Sequence, residues 1–267
     1  KTTLPADTVE RGRSMENLNL GQHISQQFNE ELEDVRSKVL QMGGIVEDQL
    51  SQSVRALVEG DIETAAAVVE NDYRINALDV EIDEECTRIV ARRQPAATDL
   101  RLVMAVIKTI TDLERIGDVA KRIARMVQVE LYGAMTEDVR NELEHMGDLV
   151  REMLRMVLDA FARTDVDTAI EVVHFDRKVD AKYVSITRHL ITYMAQDPKN
   201  IPRVLNILWS ARALERMGDR CENIAEYIFY LVHGRDIRHI RVDDAIGDLP
   251  TAIENSKKKK KKKKKKK

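Results

Sequence analysis

Two carboxylate pairs carry the chemistry open to this chain: Glu114 with Asp118, and Glu215 with Asp219. Each pair is spaced four residues apart, so on an α-helix both acids lie on one face, one turn from each other. Upstream segments supply matching pairs, Asp72 with Asn76 and Asp176 with Asp180. In an antiparallel hairpin, residues equally far from the turn share a height. The midpoint of 72 and 118, like that of 76 and 114, is Pro95; the midpoints of 176 with 219 and of 180 with 215 fall between Asp197 and Pro198. Both sets therefore meet across a hairpin. Facing carboxylates repel at a cost of several kcal/mol unless a cation, a proton or an arginine relieves them.

A hard cation is the first chemistry to consider. The expected metal ligands are Asp72, Asn76, Glu114, Asp118, Asp176, Asp180, Glu215 and Asp219. The expected cofactor is a divalent or trivalent metal ion, Mg, Mn, Fe or Zn. Oxygen ligation favours Mg, Mn, Ca or ferric iron over a closed structural zinc, which takes Cys and His. A lone acid pair usually decorates a solvated helix face; duplication and height matching lift these pairs above that reading. Arg115 and Arg216 each follow the glutamate directly and could neutralise the acids or offer a donor to an anion such as phosphate. Gly117 and Gly218 cost about 1 kcal/mol each inside a helix and point to close approach of a helix or a ligand. Cys221 and His174 stand two residues from an acid of the set and so point off its face. Glu142-x-x-His145 and Glu171-x-x-His174 match an element of di-iron bundles, but lie about 18 Å apart in height at about 1.5 Å per residue, too far to share a metal. No phosphate-binding loop, nucleophile elbow or catalytic triad is legible, so no enzyme activity is expected.

The elements that must position these residues are helices. Apolar residues recur at three- and four-residue spacing in long tracts, predicting helices over 24–58, 62–92, 98–130, 137–162, 166–195 and 200–233. Breaks fall at Gly60-Asp61, Pro95 to Thr98, Tyr132-Gly133, Thr164-Asp165 and Asp197 to Asn200. These six form two copies of a three-helix unit. Met42-Gly43, Asp61-Ile-Glu-Thr-Ala, Val68-Val69 and Asp72 recur 104 residues later as Met146-Gly147, Asp165-Val-Asp-Thr-Ala, Val172-Val173 and Asp176. Leu113-Glu-Arg-Ile-Gly-Asp118 returns 101 residues later as Leu214-Glu-Arg-Met-Gly-Asp219. Such self-similarity is the mark of a duplicated supersecondary unit. The expected fold is all-α: tandem three-helix bundles of six long antiparallel helices, at 23–133 and 134–235, between a flexible N-terminal segment, 1–22, and a flexible tail, 236–256.

Composition agrees. Of 267 residues, 33% are charged, 43% hydrophobic and only 4% aromatic, with 11 Gly and 5 Pro, which disfavours a turn-rich sandwich or barrel. Lys257 to Lys267 is an unbroken lysine run, read as a tag or artefact and set aside. Removing its 11 lysines from 43 basic residues leaves 32 against 46 acids, a formal charge of -14 over 1–256, which argues against nucleic acid as a partner. Cys86 and Cys221 form no disulfide framework, so a reducing compartment is expected. Lys1 to Ser14 lacks the apolar stretch of a secretory leader, Met15 is the expected native start, and no apolar run is long enough to span a bilayer. A cytoplasmic protein is expected.

The tracts Arg93-Gln-Pro-Ala-Ala-Thr-Asp-Leu-Arg101, Asp112-Leu-Glu-Arg-Ile-Gly-Asp118 and Leu214-Glu-Arg-Met-Gly-Asp219, set in a duplicated six-helix chain, resemble the PhoU family of phosphate-signalling regulators. The resemblance covers roughly residues 23 to 240. It implies multinuclear metal clusters on the acidic faces, frequent homodimers, and repression of phosphate-starvation genes when phosphate is sufficient. The partners it implies are a sensor histidine kinase and the ATPase subunit of the phosphate ABC transporter, with the membrane reached only through them. The family's motif falls on Glu114, Asp118, Glu215 and Asp219, with Asp72, Asp176 and Asp180 on partner helices. Asn76 replaces a carboxylate, so the first site is expected to hold metal more weakly. Val119 and Arg220 stand where many members have histidine. The functional expectation is a metal-binding regulatory adaptor; the alternatives are an oxygen-ligated metal storage or redox protein, and a metal-free helical scaffold.

Overall fold

A computed structural model describes residues 10–127, 135–196, 198–238, 240 and 244–245, with side chains from residue 26 onward. The helices are α1 (Glu10–Glu59), α2 (Ile62–Asn71), α3 (Tyr73–Arg93), α4 (Ala97–Val127), α5 (Glu137–Arg163), α6 (Val166–Gln196) and α7 (Ile201–His233), with one 3-10 turn at Pro198–Asn200. No strand occurs among the described residues. The all-α, duplicated architecture expected from periodicity is the one found, with α1 to α4 forming the first unit and α5 to α7 the second.

The repeated sequence segments each have a structural task. Asp61 caps α2, accepting from the backbone N–H of Glu63 and Thr64 at 3.0 Å each and from Thr64 Oγ1 at 2.6 Å. Its repeat, Asp165, does the same for α6 through Asp167, Thr168 and the Thr168 hydroxyl. These bonds favour the carboxylate and hold both acids below their ordinary pKa, the threonine hydroxyl bond being the largest cause. The Met-Gly repeat lets the units approach each other. A Cβ on Gly43 would lie 2.5 Å from Leu158 Cδ2, and one on Gly147 would lie 2.6 Å from Val54 Cγ1. Adding 104 to 43 and 54 gives 147 and 158, so the two contacts are the same contact seen from each unit. The duplication is thus expressed as a pseudo-twofold arrangement in which α1 crosses α5 and α4 crosses α7.

One core runs through both units. Along α1, Leu32, Val35, Val39, Met42, Val46, Leu50, Val54 and Leu57 are buried at three- and four-residue steps. They join Ile75, Ile82, Ile110, Leu113 and Ile116 of their own unit and Leu143, Val150, Leu154, Val179, Leu214 and Met217 of the other. Partly buried polar bonds add direction to this contact. Asp112 accepts from Arg220 Nη1 at 3.2 Å and from the Tyr227 hydroxyl at 2.9 Å, and Arg101 Nε donates to the Leu231 carbonyl at 3.2 Å.

Several boundaries differ from expectation. The second helix is interrupted at Asp72, where the Ile75 N–H donates to the Asp72 carbonyl at 3.0 Å and the Asn76 N–H reaches it at 3.4 Å. The backbone stays right-handed there, so the chain tightens by one step without turning. Helix α1 starts at Glu10 and not near 24, which corrects the flexible 1–22 segment over residues 10–22. No proline lies between Pro5 and Pro95 to stop it, and apolar periodicity, the sequence signal, begins only near Ile24. Two described residues of the 236–256 stretch are packed: Ile237 and Ala245 are buried against Phe229, Val166, Ile170 and Val173. The Tyr132-Gly133 break, Asp197 and the lysine run lie outside the described residues. Among the described residues, no helix is long and apolar enough to cross a membrane. Both cysteines are free and buried, and burial pushes the Cys86 thiol up to about 12.

Candidate metal centre

The repeated Leu-Glu-Arg-(Ile/Met)-Gly-Asp segment builds the centre by simple helical geometry. Leu113, Ile116, Leu214 and Met217 are fully buried and fix which way each helix faces. At 100° per residue, the Glu and Asp then emerge together on one flank of that buried stripe and the Arg on the other. The acids face α3 in the first unit and α6 in the second.

In the second unit the acids converge. One carboxylate oxygen each from Asp176, Asp219 and Glu222 lie within 4.8 Å of one another. Asp176 is only 7% exposed, and its Oδ1 is buried with no hydrogen-bond partner. Gly218 makes this possible, since a Cβ at that position would stand 2.8 Å from Asp176 Oδ1. Burial first, and then the charges of Glu222, Asp180, Asp219 and Glu215, push the Asp176 carboxyl up to about 7. Burial likewise raises Glu215, Asp219 and Glu222, with neighbouring carboxylates adding to it. Glu215 accepts from Arg212 through Oε1, while its Oε2 is buried and unpartnered. Asp180 is exposed beside the cluster. Of the four residues expected here, Asp176 and Asp219 belong to the tight triad and Asp180 and Glu215 flank it. An oxygen set of one buried, one half-buried and one exposed carboxylate, with an unpartnered acceptor on Asp176, fits a hard cation.

The first unit solves the same problem internally. Lys121 Nζ donates to Asp72 Oδ2 at 2.6 Å and lies 3.6 Å from Asp118 Oδ1, with Asn76 Nδ2 donating to Asp72 at 3.1 Å. The structure thus brings Asp72, Asn76 and Asp118 together as the hairpin heights require, but around an ammonium group. Asp72 is 2% exposed, so this pairing neutralises an otherwise costly buried charge. Glu114 stands beside Asp118 and not at the ammonium: burial raises its carboxyl, followed by the charges of Asp118 and of Asp79. The first quartet as described does not fit a metal ion, because its central position is held by a cation of the chain itself.

A model of the PhoU domain matches residues 39–127 and again residues 143–228, together more than half of the chain. The chain belongs to the PhoU family. The phosphate-specific transport system accessory protein PhoU of Serratia marcescens is 51% identical over 243 residues, covering 91% of this chain and 99% of that protein. Its counterpart from Escherichia coli K12 is 50% identical over 230 residues, 86% of this chain and 95% of that one. The crystal structure of PhoU from Pseudomonas aeruginosa aligns with a TM-score of 0.74 at 49% identity, covering 78% of this chain and all of the other. That of the phosphate transport system regulatory protein PhoU from Streptococcus pneumoniae aligns with a TM-score of 0.71 at 30% identity, over 78% of this chain and 98% of the other.

The two PhoU repeats differ at one decisive position. Shifted by the 101 residues that relate Asp118 to Asp219, Lys121 becomes Glu222. One repeat therefore carries its own cation where the other carries a third carboxylate. Glu222 was missed in the spacing analysis, which followed only the four-residue pairs, although the repeat offset extended by three positions finds it. Asp79, which contributes to the raised carboxyl of Glu114, was missed for the same reason. The Glu142 element has ordinary partners: it accepts from Ser185 at 3.2 Å, meets His189 Nδ1 at 2.8 Å and lies 3.7 Å from Lys182.

Proposed function

We propose that the chain is a regulatory adaptor of a phosphate ABC transporter, which represses phosphate-starvation signalling and uptake by coupling the transporter's ATPase subunit to a sensor histidine kinase. The observation that carries this reading is identity of about half over nearly the whole length to proteins named as accessory to the phosphate-specific transport system. It acts by binding: a partner held in one conformation is shifted towards that state by differential affinity. The working form is a cytoplasmic homodimer that meets the membrane through its partners alone.

Metal belongs to the second repeat in this reading. Asp176, Asp219 and Glu222 would hold a divalent or trivalent ion, with Asp180 and Glu215 beside it; the oxygen set suits Mg, Mn or Fe better than Zn. The ion supplies positive charge that relieves the carboxylates. Two measurements test the proposal. Elemental analysis of protein purified without chelator should find metal that is lost in Asp176→Ala/Asp219→Ala. Co-purification should retain the transporter ATPase and the kinase's cytoplasmic domain. Failure to bind either partner, with or without metal, refutes the adaptor; metal-free protein that refuses added Mn, Mg or Fe refutes the centre.

A further inference from the structure

The flank that carries the arginines of the repeated segment has its own geometry. Asp112 meets Arg220, and Arg101 meets the Leu231 carbonyl, so each step up α4 is a step down α7. In that register Arg115 and Arg216, the same residue of the two repeats, stand at one height to within a residue, on either side of the pseudo-twofold axis. Between the two helices lies a cleft of about 480 Å³ whose floor is Val119, Ala213 and Met217. Six arginines and Lys121 line it against a single carboxylate, Asp118. This basic concentration occurs in a chain whose residues 1–256 have a formal charge of -14. It is a local feature, not an echo of composition.

Some of these cations are already engaged. Lys121 pairs with Asp72, Arg212 with Glu215 and Arg220 with Asp112, while Arg115 approaches Asp112 only to 3.9 Å. Arg125 and Arg216 make no hydrogen bond or salt bridge among the described residues. The Arg122 guanidinium lies 3.8 Å from the centre of the Trp209 ring, at one wall of the cleft. Guanidinium groups held close together and left unneutralised repel one another, and forked donors on two facing walls match phosphate oxygens.

We propose that this cleft binds a small oligophosphate, a triphosphate chain either inorganic or carried on a nucleoside. Its volume falls within the range of small-molecule sites, and its concavity suits a compact ligand better than the surface of a protein. The arginines of α4 run from position 115 to 125, about 15 Å of helix at about 1.5 Å per residue. One orthophosphate cannot span that distance; a chain of phosphates reaches several of its donors. The indole of Trp209, half-buried against the core, holds the Arg122 guanidinium at the wall of the cleft.

Trp209 is the sole tryptophan of the sequence, so tryptophan-selective fluorescence, excited where the six tyrosines absorb little, reports on the cleft. The full chain is titrated with sodium triphosphate and with adenosine triphosphate at fixed moderate salt, and Arg216→Ala, Arg125→Ala and Arg115→Ala/Arg216→Ala are compared with it. All three arginines are exposed, and thermal melting verifies that the variants fold. The expected result is a saturable change that weakens as salt rises, falls ~10-fold in each single variant and ~100-fold in the double one. Equal affinity for the two probes assigns recognition to the phosphate chain; tighter binding of the nucleotide adds a contact to the nucleoside. The lysine run is present in every variant, so anion binding there cannot produce the difference. Absence of saturation with both probes overturns the proposal, as does binding that persists in the double variant. Competition by poly-glutamate as strong as by triphosphate also overturns it, because the cleft would then be a docking surface for acidic protein. Should the double variant fail to fold, Arg125→Ala decides alone, since Arg125 supports no bond in the described structure.

Discussion

Asp176→Asn separates what the acidic cluster does for folding from what it does for binding. The wild-type carboxyl titrates near 7, against 3.8 for the ordinary aspartate expected in the unfolded chain. Between those values the folded protein keeps a proton that the unfolded chain has released. Stability therefore falls as pH rises from about 4 to about 7, and the loss is complete above 7. That displacement corresponds to about 4 kcal/mol; relaxation and water entry around the flanking exposed acids reduce what is measured to about 2–4 kcal/mol. Asparagine has the same shape, no charge, and an amide that can donate to Asp219 or Glu222. In urea unfolding with chelator present, the variant is expected to match wild type near pH 4 and to exceed it by about 2–4 kcal/mol at pH 8. Added Mn should narrow or reverse the difference, because metal stabilises only the protein that binds it. A variant no more stable than wild type at pH 8, or a difference independent of pH, would refute the claim that Asp176 is a desolvated, uncompensated charge.

Three further substitutions probe the same architecture. Gly218→Ala gains about 1 kcal/mol of helix propensity but sets a methyl against Asp176 Oδ1; a net loss of about 1–3 kcal/mol and weakened metal uptake are expected, whereas Gly44→Ala, with nothing within 4 Å of its new Cβ, should stabilise by about 0.5–1 kcal/mol. Lys121→Met strands the buried Asp72 and should cost about 3–5 kcal/mol in urea unfolding, while Lys121→Glu, which copies the second repeat, should add about one metal ion per chain by elemental analysis. Tyr227→Phe removes one of the two donors to buried Asp112 between the units and should cost about 1.5–3 kcal/mol, with the midpoint rather than the slope of unfolding changed.

The hairpin heights were legible because two quantities fixed them, the helical rise and the turn position, and neither depends on side-chain detail. They placed Asp72 beside Asp118 and Asp176 beside Asp219, as found. What spacing could not supply was the sign of the third group. Lys121 and Glu222 each lie three residues beyond the conserved-spacing pair, and only comparing the repeats position by position shows that one is an ammonium and the other a carboxylate. The repeated Asp-x-x-Thr segments were visible as repetition, but their capping role needed backbone geometry, since the same residues occur in turns without helices. Ile237 and Ala245 escaped notice because isolated apolar residues in a polar tract carry no periodicity. The upstream part of α1 escaped for the complementary reason: it has no apolar stripe to announce a helix.

Duplication explains why acidic and basic sites coexist on one helix pair. A segment that buries Leu and Ile or Met must send its Glu and Asp to one flank and its Arg to the other. Copied once, and packed about a pseudo-twofold axis with α4 against α7, it yields two acidic clusters facing outward towards α3 and α6. It also yields a single place where the two arginine flanks confront each other. Outward sites occur twice and can diverge, as Lys121 and Glu222 have: one repeat became self-satisfied and the other was left with unmatched charge. The axial site occurs once and inherits like charges from both copies, so no divergence of one repeat alone removes its excess. The asymmetry of the acids and the convergence of the arginines therefore follow from one event, and each leaves an electrostatic deficit that an ion of the opposite sign would relieve.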